Sequence, residues 1–238
     1  TVCNIPLIYV FIYGKLGLEP MGGIGCGWAT TGANIFALLA LCGYLLWHKD
    51  FKALPLFKRV APLNADKMQE LVKLGLPIGI TLFVEVSMFC AIALFLAPMG
   101  AETVAAHQIV LNATSLVFMV PLSLGMAVML RVSFLVGENS MVRARLVARS
   151  SMLLGVGIAC INAPILFFGR SYIADFYSNE PEVIAIATYL FMFAAAFQIV
   201  DVIQVVAVNA LRGYKDTKIP MWIIVFAFWC ICLPLGYF

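Results

Sequence analysis

Charge is what this sequence has least of. Of its 238 residues, 11% are Asp, Glu, Lys or Arg and 63% are apolar, where a soluble domain carries roughly 25% charged and 45–50% apolar residues. With a mean hydropathy of +1.02, that balance excludes a soluble globular domain. Histidine is scarcer still. His48 and His107 stand alone, neither with a second histidine at ligand spacing, so His107 reads as the donor of a structural hydrogen bond. The seven cysteines form no CxxC pair and mostly lie inside apolar runs, so zinc and thiol redox chemistry are not expected and they read as small packing residues. No basic stripe of the kind that tracks nucleic acid occurs, and no run alternates apolar with polar over about ten residues as a membrane β-strand does.

What is present is a series of long apolar runs. Breaks at charged or turn-rich stretches leave one partial span, Val2–Tyr13, and six full ones: Gly27–Trp47, Leu74–Ala97, Val104–Leu130, Ser150–Phe168, Val183–Leu211 and Ile219–Phe238. Crossing about 30 Å of hydrocarbon takes about 20 helical residues. The expected fold is therefore an all-α polytopic membrane protein. The first run is short and the chain opens on Thr1, so an excerpt of a longer protein is expected. The one long polar connector, His48 to Lys73, carries Pro55, Pro62 and the amphipathic stretch Asn64–Lys73. It reads as a linker with an interfacial helix between two bundles, dividing the chain into residues 1–47, 48–73 and 74–238.

Charge placement orients the chain. When alternate loops are assigned to opposite sides, 13 of the 15 basic residues fall on one side, and only Lys15 and Arg170 on the other. By the positive-inside rule the rich side is cytoplasmic, giving a multi-pass membrane protein with its linker and basic loops in the cytoplasm. Ten of the 12 acidic residues lie in loops or flanks. The other two do not.

Glu85 is the only charge between Gly75 and Pro98, and Asp201 interrupts a later apolar run. A charge at the bilayer centre costs about 2.5–3.5 kcal/mol on insertion scales, so such groups face a bundle interior or a wet cavity and mark ion or substrate paths. Glu85 lies 12 residues from Lys73 and Asp201 lies 11 from Arg212. At 1.5 Å per residue both stand about 16–18 Å from the basic side, near the midplane. That level suits a shared cation or proton site. Gln198, Asp201 and Gln204 recur at three-residue steps, Thr81 and Glu85 share a face, and Asn112 and Ser115 add polar groups to the next span. Each uncharged member has two open readings: a cavity wall, or hydrogen-bonding glue between helices.

The segments Asn4–Lys15, Gly22–Gly27, Gly75–Gly79, Ala105–Asn112 and Leu211–Thr217 together resemble the multidrug and toxic compound extrusion (MATE) family, in its NorM-like bacterial branch. The resemblance implies two six-helix lobes, of which this chain would hold the end of helix 5, helix 6, the inter-lobe linker and helices 7 to 11. It implies a secondary active antiporter exporting organic cation drugs in exchange for Na+ or H+, with no cofactor beyond that ion. Glu85 and Asp201 match the family's coupling carboxylates, and would also hold Na+ if sodium is the ion. Phe197 stands where the family often has Tyr, which keeps a ring face and removes a hydroxyl. With half of the cleft missing, no transport is expected from these 238 residues alone.

Two other functions fit these residues less well. A lipid-linked oligosaccharide flippase of the same superfamily calls for a cationic cavity, and no Arg or Lys falls within the expected spans. An intramembrane aspartyl protease needs two partnered Asp residues, and here one partner is Glu. No enzyme is expected; lipids are the expected surroundings, and the oligomeric state is left open.

Overall fold

A computed structural model of the chain describes residues 4–14, 22–47 and 64–237, all of it helix and short turns, with no strand among them. The connector residues 48–63 lie outside the described residues. The chain divides into two compact units, Thr1–Leu63 and Asn64–Phe238.

In the first unit, α1 (Asn4–Tyr13) packs on α2 (Gly22–Trp47). Gly25 makes that contact possible: a Cβ there would stand 2.6 Å from the Phe11 carbonyl oxygen. Small residues let membrane helices approach in this way where no hydrophobic force drives them together.

The second unit holds α3 (Ala65–Leu96), α4 (Ala101–Gly137), α5 (Met141–Tyr177), α6 (Pro181–Gly213) and a last span. That span runs as α7 (Lys218–Val225), a π-helical stretch (Phe226–Cys232) and α8 (Leu233–Tyr237). Six helical segments of the described chain are long and apolar enough to cross a membrane, matching the six full runs of the sequence. The middle helices are longer than those runs. At 37 residues, α4 and α5 each extend to about 55 Å, well past a hydrocarbon core of about 30 Å. Arg143, Arg145 and Arg149 therefore sit on the opening turns of α5 and not in a loop. Likewise Asn64–Lys73 is no separate interfacial helix but the start of α3. Asn64 caps it, its side-chain oxygen accepting from the Asp66 and Lys67 amides at 3.0 and 3.4 Å.

Packing divides this unit again. α4, α5 and α6 pack extensively on one another, whereas α3 packs mainly on the last span and only lightly on α4. Two apolar clusters fill the trio, one around Ile109, Leu166 and Phe191, the other around Val132, Leu135 and Val206. Gly213 lets α6 meet α4, because a Cβ there would fall 2.8 Å from that of Val132. Many large apolar side chains remain exposed, Phe83, Leu153 and Trp222 among them. In water such a surface would be a liability; against lipid tails it is the ordinary outer face of a helical bundle.

Candidate functional site

Glu85 and Asp201 belong to different halves of this packing, Glu85 on α3 with the last span and Asp201 on α6 within the trio. An ion pair relates their levels. Lys215, in the turn after α6, donates to a Glu70 carboxylate oxygen at 2.9 Å on the opening turns of α3. Glu85 lies 15 residues beyond Glu70 and Asp201 lies 14 before Lys215. At 1.5 Å per residue both stand about 21–23 Å from that common mark. The carboxylates come within electrostatic reach of each other, and both are half-buried. The half-buried Arg212 guanidinium, from the last turn of α6, lies within reach of Glu85. No group of three or more metal-type ligands occurs among the described residues, so two acidic side chains are the ionic donors this site offers.

The polar residues expected around them separate by location. Gln198 is 2% exposed in the interior of the trio, and its Nε2 has no hydrogen-bond partner. Asp201 and Gln204 turn off that buried face onto a half-buried flank. Three-residue steps fall short of the 3.6-residue turn, so Gln198, Asp201 and Gln204 wind around the helix by about 60° per step. Thr81 is fully buried beside Glu85, its hydroxyl donating to the Pro77 carbonyl at 2.9 Å. Asn112 and Ser115 are exposed and hydrogen-bond back to the Gln108 and Leu111 carbonyls of their own helix. Phe197 is exposed at 54%. Away from this region, His107 leaves Nε2 buried without a partner.

Three residues near the site were not singled out from sequence. Asn209, 6% exposed, lies on the buried face of α6 against Gly125 of α4 and donates to the Val205 carbonyl at 2.9 Å. Asn162 of α5, also buried, reaches the Val117 carbonyl of α4 at 3.4 Å. The third is Arg212, a basic flank by sequence, whose guanidinium stands within electrostatic reach of Glu85. The buried period of α6, which includes Val202, Val206, Asn209 and Gly213, was the available signal for Asn209. For Arg212 there was none.

A cavity of about 240 Å³ opens between α6 and the last span. Gln204, Ala207 and Leu211 line it from α6, and Ile223, Ala227 and Phe228 from the other side.

Residues 77–238 match the MatE family model. The chain is 44% identical over 234 residues to the "probable multidrug resistance protein NorM" of Shewanella oneidensis and 41% identical over 235 to that of Pasteurella multocida. It is also 44% identical over 234 residues to the "multidrug resistance protein PmpM" of Pseudomonas aeruginosa. Each match covers 98% of this chain and 49–51% of the relative. The chain therefore spans about half the length of the curated relatives it matches.

Proposed function

This chain belongs to the MatE family, and from that premise we propose that it serves a secondary active multidrug efflux antiporter, with Glu85 and Asp201 as the coupling site. It is a multi-pass protein of a bacterial inner membrane and a transporter, not an enzyme. The observation that carries the proposal is the pairing itself. Two helices from separately packed halves bring acidic groups to one level, within electrostatic reach, in otherwise apolar surroundings. Structural glue needs hydrogen bonds but no full charge.

With both carboxylates ionised, the nearby Arg212 leaves one formal negative charge, which one monovalent cation neutralises. Na+, H+ and the cationic head of a drug then compete for one place. Whichever ion binds best when the two halves are close favours that packing, and a ligand shifts the balance only by its differential affinity for the two states. The contact between α3 and α4 is light, so a change of spacing there disrupts little packing. A single charge also suits organic cations better than a pyrophosphate-bearing lipid, which two carboxylates would repel.

The test is export of a fluorescent organic cation from membrane vesicles carrying these residues in a transporter of the relatives' full length. Sodium and proton gradients are imposed separately, with Glu85→Gln and Asp201→Asn alongside. Export driven by one gradient and lost in both variants is expected and names the ion. Undiminished export by Glu85→Gln would sink the proposal.

A further inference from the structure

The cavity between α6 and the last span begins about one helical turn along α6 from Asp201, which does not itself line it. Gln204 stands three residues beyond Asp201 and is the polar side chain of the lining; the rest is apolar. From Gln204 to Leu211 the α6 wall runs about 10 Å toward the end of the bundle that holds Arg212 and Lys215. The two helices are antiparallel, joined by the turn at residues 214–217. Phe228 therefore lines the wall at the level of Gln204, and Ile223 faces the deeper part near Leu211. The half-buried Phe228 ring and the Gln204 amide thus frame the mouth nearest Asp201. An aromatic face and a carboxylate together are the setting in which organic ammonium ions are held.

The wall that carries Phe228 is itself irregular. Ala227 and Phe228 belong to the π-helical stretch Phe226–Cys232. A π turn inserts a residue into the α-helical register and re-aims the side chains around it, a local cost that persists where it shapes a site. Below the mouth, Ala207 and Ala227 face the space with methyl groups only, so their small size keeps it open.

Resting on the reading of Glu85 and Asp201 as a cation site, we infer that this cavity is a subsite for the apolar body of the transported cation. The head sits at Asp201 and Phe228, and the body points between Ala207 and Ala227 toward Leu211. At about 240 Å³ the cavity is smaller than the about 300–1,000 Å³ of sites for drug-sized molecules. It fits one ring or a short alkyl arm, so the class taken is a compact aromatic or alkyl ammonium. A larger drug would place one substituent there and leave the remainder outside. The position of the body gives specificity, because the carboxylates alone cannot distinguish one monocation from another.

The experiment is calorimetric titration, in lipid nanodiscs, of a purified transporter of the relatives' full length that carries these residues. The two probes are benzyltrimethylammonium, which has a head and a body, and tetramethylammonium, which has the head alone. Ala207→Trp fills the cavity and Ala207→Leu fills it in part. Benzyltrimethylammonium is expected to bind wild type more tightly than tetramethylammonium. It should weaken in the order wild type, Leu, Trp, by about tenfold or more at Trp, as burial of the ring is lost. Tetramethylammonium should bind all three alike, which also shows that the variants fold. Asp201→Asn should weaken both probes.

If Asp201→Asn weakens both probes but the Ala207 series does not discriminate between them, the subsite is wrong and the carboxylate reading stands. Should Asp201→Asn affect neither probe, or neither bind, the cation site itself falls and the subsite with it. Ala207→Trp changing self-association of the chain while sparing ammonium binding would mean that the groove seats another helix, and would also overturn the inference.

Discussion

Lys215 occupies left-handed backbone, φ 64°, in the turn that ends α6. The Asp216 amide returns to the Leu211 carbonyl at 3.1 Å and the Lys215 amide to that of Arg212 at 3.0 Å, the arrangement that caps helices with a left-handed residue, usually glycine. A lysine there carries a steric cost of about 1–2 kcal/mol. Its side chain reaches Glu70 from this position, an exposed pair that adds little to stability. Replacing it by glycine or by alanine removes the pair in both cases, and only glycine removes the strain. Lys215→Gly is therefore expected to be more stable than Lys215→Ala by about 1 kcal/mol, read from thermal unfolding of the two in the same detergent. At this scale Glu85 and Asp201 were legible because a charge in a greasy run has few explanations. Arg212 was not, since spacing along one helix cannot show which foreign helix its guanidinium approaches.

Among the elements, α6 carries the most. It packs on both α4 and α5, and its buried face runs unbroken from Val183 to Gly213. Gly213 closes the α4 contact, where a methyl would stand 2.8 Å from the Val132 Cβ and 3.0 Å from the Met129 carbonyl oxygen. Backbone cannot swing aside as a side-chain tip does. Gly213→Ala is expected to destabilise the unit by about 1–3 kcal/mol, measured as a fall in unfolding temperature; an unchanged value would mean that α6 slides freely. A lighter lesion serves as comparison. Asn64→Ala removes the oxygen that accepts from two amides at the start of α3, costing about 1 kcal/mol. It should raise amide exchange at residues 65–68 while leaving the rest of α3 protected. The existence of these helices was legible from hydropathy. Their lengths were not, because an amphipathic end such as Asn64–Lys73 changes in hydropathy without breaking the backbone hydrogen-bond ladder.

For the whole second unit, side chains from different helices check the alternation of ends. Glu70 meets Lys215 at one end, and the Glu102 and Glu182 carboxyls are neighbours at the other. Asn162 and Val117 join α5 to α4 between them. The positive-inside rule then makes a directional prediction. In a cysteine-free background, single cysteines at Asn139 and Asp216 should react with an impermeant maleimide only from the cytoplasmic side, and one at Asn179 only from the opposite side. Labelling of Asn139 and Asn179 from the same side would refute the span order. The reagent tests topology separately from transport, so it bears on the scaffold even where no export is measured.

By itself the sequence determined the solvent, the number of crossings and the two charges that hydrocarbon would not tolerate, because each follows from local composition and the 1.5 Å rise of a helix. Tertiary structure alone decided the rest. Asp201 and Gln204 lie on a flank of α6 while Gln198 is sealed in its core, since three-residue spacing winds around a helix whose neighbours choose which arc is covered. Asn112 and Ser115 bond to their own helix, and Arg212 stands within electrostatic reach of Glu85. A cavity opens where α6 and a π-helical wall fail to meet. Those outcomes depend on which faces pack together across more than a hundred residues of chain, and no local pattern records that choice.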